Sequence, residues 1–327
     1  MGLSREGVGG VARRFRWEER RVRGRRNFQS GVDAFSGACK VALNIMTIQT
    51  LPADQKLALK NGGELELFWI GVGSAASKKN AQSNFLIIKG DAHLLVDLGA
   101  LGPLALLQTA RLAPMDMGNI LPTHSHADHI GGMEEMFLAW RYGSVKKGGP
   151  KPKCIINEQY EKILWDRSLR GGLGWNERAE RGQLLAFTDY CDVVRPTLKM
   201  QQPREIWTID FEGIRLEMFR TKHVPETATD WQSSLLSFGL MIDGRVLVSG
   251  DTRFDRDLLD LYADRAEVIF HDVQFFSGAV HAPLADLKAL PVKWKEKMHL
   301  YHYADNYETQ DIAGFAGWTQ RGVRYIF

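Results

Sequence analysis

One short segment, residues 123–132, constrains this chain more than any other because it places four metal-binding side chains within six positions. Side chains two positions apart point the same way in an extended chain, so His124 and His126 can bind one cation together. If a helix begins near Asp128, Asp128 and His129 turn toward a neighbouring point. Imidazole suits zinc, manganese, iron or nickel, and a carboxylate adds negative charge. The segment therefore predicts a loop that offers ligands to two metal ions.

Three further candidate ligands lie where predicted strands run into loops, since one loop cannot surround two metals alone. His223 follows a strand pattern, Asp251 follows the apolar strand 245–249, and His302 follows residues 298–301. Loops at strand ends are where a sheet presents functional residues. We therefore expect these three side chains to join the histidines of the first loop.

The composition is that of a globular domain, because 44% of the 327 residues are hydrophobic and 25% are charged. No apolar run approaches the about 18 residues that a membrane helix needs, so we expect no membrane contact and a cytoplasmic protein. Three widely spaced cysteines without a Cys-x-x-Cys pair argue against a disulfide scaffold and against a zinc ribbon. Collagen-like, low-complexity and membrane-spanning classes are excluded.

The basic residues are concentrated in residues 1–45. This segment has ten basic residues, nine of them arginine, and four acidic ones, which leaves the rest of the chain at a net charge of −3. We expect a disordered extension, because few apolar residues accompany the charges. A polyanion-binding arm is one alternative, and a tail that is not native and ends before Met46 is another. The acidic body argues against a nucleic-acid surface built into the fold.

Strand and helix patterns mix from Met46 onward, with strands concentrated in the middle of the chain, and this predicts two sheets covered by helices. The expected strands include residues 64–71, 84–89, 93–98, 154–156, 205–211, 214–221, 233–242, 245–249, 267–271, 298–302 and 323–327. The expected helices are residues 102–112, 131–140, 158–169, 254–263, 283–289 and 308–314. Asp243 and Gly244 between two strand patterns predict a tight hairpin.

Taken together, these motifs resemble the metallo-β-lactamase superfamily. The shared features are the H-x-H-x-D-H loop, the later lone His223, the Ser-Gly-Asp-Thr of residues 249–252 and the strand-end His302. Residues 68–75 and 94–99 are similar to the first two strands of that superfamily. The resemblance implies an α/β fold of the α+β kind, a four-layer αββα sandwich with the metals at one edge.

Within the superfamily the chain resembles the branch of ribonuclease Z and the cyclic-nucleotide phosphodiesterases. Residues 249–253 and the series His271, His281 and His302 carry this closer likeness. The resemblance covers residues 64–327, so we expect one hydrolase domain over residues 46–327.

The resemblance also implies two divalent metal ions, zinc or manganese, and their ligands. Three histidines hold the first metal, an aspartate and two histidines hold the second, and another aspartate bridges both. In this order the ligands are His124, His126 and His223; Asp128, His129 and His302; and Asp251. A hydroxide shared by the metals would attack phosphorus, since bound water there has a pKa of about 7. His126 replaces the glutamate of the diiron relatives, which favours hydrolysis over redox chemistry.

A general acid is implied in the same way. His281 stands where that branch has a histidine near the leaving group, and Asp272 resembles an acidic residue that supports the site. A protonated His281 would give its proton to the leaving oxygen, since an alkoxide leaves poorly. The predicted catalytic residues are therefore His281, Asp272 and the ligand Asp128.

The expected substrate is a small anionic phosphodiester, preferably a cyclic nucleotide. Residues 270–276 and 300–305 are similar to small-substrate phosphodiesterases. A small insert around residues 141–182 contains Arg170 and Asn176, which are candidate contacts to a base or phosphate. RNA remains an alternative partner, through ribonuclease Z-like cleavage at the 3′ end of tRNA. Lactone or ester hydrolysis and metal-dependent nucleotide binding without turnover are two others, and the relatives suggest a homodimer.

Overall fold

The computed structural model describes residues 46–178 and 182–327, and the predictions for residues 1–45 lie outside this part of the chain. The strands are β1 Thr47–Thr50, β2 Glu66–Gly71, β3 Asn84–Lys89, β4 Ala92–Val96, β5 Asn119–Leu121, β6 Lys153–Ile155, β7 Asp192–Val194, β8 Thr197–Met200, β9 Ile206–Phe211, β10 Ile214–Arg220, β11 Phe238–Ile242, β12 Val246–Val248, β13 Val268–Asp272, β14 Met298–Tyr301, β15 Gly317–Trp318 and β16 Val323–Ile326.

The helices are short and lie between the strands. The α-helices are α1 Gly102–Ala110, α2 Ala127–Ile130, α3 Met133–Gly143, α4 Glu158–Leu164, α5 Arg170–Leu173, α6 Phe187–Tyr190, α7 Arg256–Tyr262, α8 Leu284–Lys288 and α9 Val292–Lys295. Short 3-10 helices lie at Pro114–Asp116, Val145–Lys147 and Tyr307–Thr309, and a π-helical turn lies at Trp165–Leu169.

The strands form two eight-stranded mixed sheets. The first has the order β1-β16-β2-β3-β4-β5-β6-β7, and the second has the order β15-β14-β13-β12-β11-β10-β9-β8. In the first sheet β2, β3 and β4 are antiparallel, and β4 to β7 are parallel. In the second sheet β8 to β12 are antiparallel, and β12 to β15 are parallel. Both sheets thus combine hairpins with parallel crossovers.

Aromatic side chains join the inner faces of the two sheets. The ring of Trp69 on β2 lies 5.2 Å from that of Phe270 on β13 and 4.9 Å from that of Tyr301 on β14, measured between centroids. Strands β2, β13 and β14 are buried at every position, so both faces of each sheet are covered at these strands. The predicted α+β class with two helix-covered sheets is confirmed.

The hairpin between β11 and β12 forms where Asp243 and Gly244 predict it. Both residues have positive φ values, 52° and 72°, and the backbone N–H of Arg245 closes a tight turn on the carbonyl oxygen of Ile242 (3.0 Å). The register pairs Ile242 with Val246 and Leu240 with Val248. This turn sets β12 antiparallel to β11 and therefore parallel to β10.

One edge of each sheet gathers strand ends. Because β10, β12, β13 and β14 run in the same direction, their carboxyl ends meet at one edge of the second sheet. The carboxyl ends of the parallel strands β4 and β5 meet at one edge of the first sheet. Loops at the carboxyl ends of parallel strands form ligand sites. The predicted metal ligands follow these strand ends.

Two predicted elements differ in the structure. The helix expected over residues 308–314 is wrong: only the 3-10 turn Tyr307–Thr309 forms there. The side chain of Asp311 accepts the backbone N–H of Ala313 (2.9 Å), and Gly314 has φ +88°, which is not helical. The strand expected over residues 233–242 begins only at Phe238.

Residues 141–182, expected to form a small insert, contain parts of the main fold. Strand β6 lies within the first sheet between β5 and β7, and α4 follows it. Within residues 46–178 and 182–327, no helix has the length and apolar character needed to cross a membrane.

Candidate metal centre

The loop between β5 and α2 carries the first ligand candidates in the geometry predicted from their spacing. His126 is extended (φ −78°, ψ 150°) and directly precedes α2. Nε2 of His124 lies 3.0 Å from Nδ1 of His126. Asp128 and His129 lie in the first turn of α2, with Nε2 of His129 3.4 Å from Oδ2 of Asp128. The change from extended chain to helix therefore directs the two pairs at neighbouring points.

The second sheet contributes three more buried side chains at the expected strand ends. His223 follows β10, Asp251 follows β12, and His302 directly follows β14. Nε2 of His223 lies 3.2 Å from Nδ1 of His126. Nε2 of His302 lies 3.2 Å from Oδ2 of Asp128. Each sheet edge thus supplies part of both ligand sets.

Asp251 lies between the two sets. Its Oδ2 is 3.1 Å from Nε2 of His129, 3.3 Å from Nε2 of His302, and 3.8 Å from Nε2 of both His124 and His223. The candidate ligand atoms of each set lie within 4.8 Å of one another. The sets are His124, His126 and His223, and Asp128, His129, Asp251 and His302. The structure therefore brings all seven predicted side chains together.

The spacing of these ligand atoms suits coordination of divalent cations better than hydrogen bonding among the ligands themselves. The ring nitrogen of His126 faces nitrogens of His124 and His223 at 3.0 and 3.2 Å. Ligands of a tetrahedral zinc ion with metal–nitrogen distances of about 2.0–2.1 Å are about 3.3 Å apart. Oδ1 of Asp251 is buried without a hydrogen-bond partner, which is unfavourable unless a cation satisfies it. The divalent metals implied by the resemblance therefore fit this site.

The electrostatics of the site also favour a cation. Burial lowers the pKa of His124 well below its ordinary value and that of His223 to about 4, so both rings are neutral near pH 7. Burial also acts to lower the pKa of His129, but the carboxylates of Asp251 and Asp97 raise it well above its ordinary value. A proton on His129 thus offsets the buried carboxylates, and metal binding must displace it.

Asp97, which follows β4, orients His129. Nδ1 of His129 donates to Oδ2 of Asp97 (2.7 Å), which leaves Nε2 free to face Asp251. Thr123 donates its backbone N–H to Oδ1 of Asp97 (2.7 Å) and its hydroxyl to Oδ2 (2.8 Å). Carboxylates that hold a metal-binding histidine in this way fix its tautomer and ring orientation.

His281 lies beside the cluster and is held by Asp272. Nδ1 of His281 donates to Oδ2 of Asp272 (2.9 Å), which also accepts the backbone N–H of Thr252 (3.1 Å). Burial acts to lower the pKa of His281, but the hydrogen bond to Asp272 and the charge of Asp251 raise it. His281 also forms a third possible ligand group with His223 and Asp251. The geometry therefore suits a proton donor and also allows a ligand.

Three residues of the site have left-handed backbone conformations. Asp97, Gly250 and His302 have φ values of 60°, 64° and 58° at the ends of their strands. A Cβ atom on Gly250 would lie 2.4 Å from the carbonyl oxygen of Phe238, so no other residue fits there without movement. Strained backbone of this kind is concentrated at functional sites, where it directs side chains.

Two supports of the cluster were not predicted. The carbonyl oxygen of Val280 accepts the Nδ1–H of His223 (2.9 Å), which directs Nε2 of that ring at His126. Thr123 stands next to the first histidine in the sequence, and that position was the only signal for its role. A backbone carbonyl such as that of Val280 has no signal in the sequence.

The structure does not bring Arg170 and Asn176 into the cluster. The guanidinium of Arg170 is exposed and lies 3.4 Å from Oδ1 of Asp166, one helical turn away. The amide of Asn176 donates to the carbonyl oxygens of Gly172 (2.6 Å) and Leu173 (3.2 Å). Both side chains are thus engaged locally, and their role as substrate contacts stays a prediction.

Comparisons with known proteins identify the family of this chain. A family model described as Anti-Pycsar protein Apyc1 matches residues 65–325. The Anti-Pycsar protein Apyc1 of Paenibacillus sp. (strain J14) is 33% identical over 248 residues, which cover 75% of this chain and 91% of that protein. The protein of the same name from Bacillus phage BSP38 is 34% identical over 245 residues, covering 73% of this chain and 89% of that protein.

A solved structure shows the fold independently. The metallo-β-lactamase fold protein YhfI from Bacillus subtilis superposes with a TM-score of 0.58 at 15% identity, over 81% of this chain and 100% of YhfI. At this identity the likeness concerns the fold alone, and it confirms the predicted metallo-β-lactamase fold. The more specific assignment comes from the family match, which spans residues 65–325 and so includes all seven converging side chains. The chain belongs to the Anti-Pycsar protein Apyc1 family.

Proposed function

We propose that this chain hydrolyses cyclic nucleotides and that the seven converging side chains bind two divalent metal ions. Proteins of this family degrade cyclic nucleotides, in agreement with the phosphodiesterase predicted from the sequence. The convergence of five imidazoles and two carboxylates beside His281 carries the proposal. Two divalent metals supply a water nucleophile with a pKa of about 7 and neutralise phosphate charge when they are bound.

The residues around the cluster have separate roles in this proposal. Asp97 keeps the proton of His129 on Nδ1, so that Nε2 can bind a cation. Asp272 accepts the Nδ1–H of His281, which leaves the proton on Nε2 of His281 available to the substrate. Hydrolysis of a cyclic phosphodiester forms a bond between phosphorus and a water oxygen and breaks the bond between phosphorus and a ribose oxygen, which takes this proton. The proton that the water loses restores the one on His281.

A substrate panel tests the proposal against its alternatives. Metal-loaded protein is incubated with cyclic mononucleotides, bis(p-nitrophenyl) phosphate, a precursor tRNA and a lactone, with chelator-treated protein as the control. We expect metal-dependent turnover of a cyclic mononucleotide. Preferred cleavage of the tRNA or of the lactone would replace the proposal by one of those activities. Tight nucleotide binding without turnover would indicate a binding protein.

His281→Ala distinguishes a proton donor from a ligand. We expect turnover to fall by about 10²–10⁴-fold, the usual contribution of a general acid, with the metal content unchanged. Elemental analysis and steady-state kinetics measure both quantities. His93→Ala is a suitable control, because His93 is a partly buried histidine on β4 outside the cluster. Loss of metal from the His281 variant would show that His281 is a ligand.

Zinc and manganese both suit five imidazoles and two carboxylates, and we propose one of these two as the native metal. Elemental analysis of protein purified without added metal decides between them. The homodimer and the cytoplasmic location stay predictions, which sedimentation analysis and cell fractionation test.

A further inference from the structure

A cavity of 390 Å³ adjoins the cluster at His281 and His302. Its walls come from the loops that follow β2, β13 and β14, and the last two of these loops carry His281 and His302. Small-molecule sites have volumes of about 300–1,000 Å³ and are mostly apolar with a few polar groups. The cavity has this character and therefore has room for the part of a substrate that is not the phosphate.

Two aromatic residues lie on the wall of this cavity, and they differ in what covers them. Phe275 packs against Trp318, with ring centroids 5.9 Å apart and the planes 82° apart. The side chain of Phe276 is 64% exposed although it lines a concave surface. Ala75 and Ala76, on the loop after β2, line the same cavity with small side chains. Phe276 thus presents an uncovered aromatic face beside the site.

The loop that carries Phe276 is held in place by hydrogen bonds. The side-chain amide of Gln274 donates to the carbonyl oxygens of Phe276 (2.9 Å) and Gly278. Oε1 of Gln274 accepts the backbone N–H of His281 (3.2 Å). The carboxylate of Glu226 accepts the backbone N–H of Ala279 (2.9 Å) from the neighbouring loop. The same side chain, Gln274, therefore fixes the backbone of both Phe276 and His281, so a ligand would meet a preorganised loop.

We propose that the nucleobase of the substrate stacks on Phe276 while the phosphate lies at the metal cluster. This inference rests on the proposed function and adds to it the residue that positions the base. Aromatic rings suit this task because every base has a π-face, and the stack requires no charged partner. The lining of the cavity contains no Asp, Glu, Lys or Arg side chain, so it offers a base the ring of Phe276 and the polar side chains of Ser74 and Asn306 rather than an ion pair.

The stacking platform is the ring of Phe276, and Phe276→Ala tests it with two substrates. One is a cyclic mononucleotide, and the other is a ribose cyclic phosphate that has no base. We expect KM for the nucleotide to rise about 5- to 150-fold, the loss expected for one base–aromatic stack, with kcat little changed. The base-free substrate is expected to keep its KM, and Phe276→Trp is expected to restore binding of the nucleotide. Tyr142→Ala is the matched control, since Tyr142 is an exposed aromatic residue outside the cavity.

Several outcomes would overturn the platform while leaving the proposed function intact. They are an unchanged KM for the nucleotide, an equal rise in KM for both substrates, and conversion of an oligomer into monomers, which would place Phe276 in an interface. Absence of turnover in the wild-type protein would instead contradict the proposed function. Calorimetric titration with a cyclic nucleotide then still tests the platform, because Phe276→Ala is expected to weaken binding by the same factor.

Discussion

The substitution Asp97→Asn tests how the protein prepares His129 to bind a metal. Three donors converge on the carboxylate of Asp97: the backbone N–H and hydroxyl of Thr123 and the Nδ1–H of His129. They use both oxygens, and an asparagine side chain has only one. In either orientation of the amide, its NH₂ group therefore meets a donor. Because Asp97 is buried, water cannot relieve the conflict.

The size of the effect follows from which donor loses its acceptor. If the NH₂ group faces Thr123, one buried donor is left unpaired at a cost of about 1–3 kcal/mol in stability. If it faces His129, Nδ1 must accept, and the proton moves to Nε2, the atom that faces Asp251. Loss of such a supporting carboxylate typically lowers metal affinity or activity about 10–100-fold, which is about 1.4–2.7 kcal/mol. We expect the second orientation to dominate, because there the amide oxygen still accepts the N–H of Thr123 and the NH₂ group donates to the hydroxyl of Thr123 and to Nδ1, so no buried donor is left unpaired.

Competition with a chromophoric chelator measures the zinc affinity of Asp97→Asn, and urea unfolding of the metal-free protein measures its stability. Asp243→Asn is the matched control. Asp243 is also buried and accepts hydrogen bonds from Lys89 (2.7 Å) and the backbone of Arg215 (3.0 Å), but it lies in the β11–β12 turn outside the cluster. We expect this control to lose stability and keep its metal affinity. Wild-type zinc affinity in Asp97→Asn would refute the orienting role of the carboxylate.

Two further predictions concern stability. Gly250→Ala is expected to lower the free energy of unfolding more than Gly244→Ala, as measured with urea. Both positions have positive φ, which costs about 1–2 kcal/mol for alanine, but only at Gly250 does the new Cβ meet a carbonyl oxygen, that of Phe238 at 2.4 Å. Equal losses would contradict the close approach. The other prediction concerns His299, whose pKa burial lowers from 6.5 to about 4. Between these pH values the unfolded chain binds a proton that the folded chain does not, so stability falls as the pH drops. His299→Phe is expected to reduce the loss between pH 7 and pH 5 by about 2 kcal/mol, and an unchanged loss in urea unfolding would contradict this cause.

Local geometry explains why so much of the metal site could be predicted from the sequence. His124, His126, Asp128 and His129 lie within six positions, and their relative directions depend only on a change from extended chain to helix at His126. The hairpin at Asp243 depends likewise on residues that tolerate positive φ. The strand-end positions of His223, Asp251 and His302 indicated the distant ligands, the resemblance to the metallo-β-lactamase superfamily assigned them to two metals, and their convergence agrees with both.

Local patterns were less reliable where hydrogen bonds between distant segments decide the conformation. The strand expected over residues 233–242 starts late because the buried guanidinium of Arg220 donates to the carbonyl oxygens of Ser234 (3.1 Å) and Leu235 (3.2 Å). These hydrogen bonds hold both residues in a loop. The helix expected over residues 308–314 is replaced by a turn around Asp311. Strand β8 was not predicted: its four residues alternate polar and apolar, but the run is short and all four are exposed.

The sequence by itself determined the composition class, the hairpin and the ligand types, since these depend on residues that are near one another in the chain. Only the tertiary structure decided that Asp97 orients His129, that the carbonyl of Val280 orients His223, and that Phe276 faces a cavity beside the cluster. Each of these relations joins segments that are 32 to 57 residues apart or brings several loops together. Such distances are set by how the inner faces of the two sheets pack and by where the loops at their edges meet, and no local pattern of side chains encodes that packing.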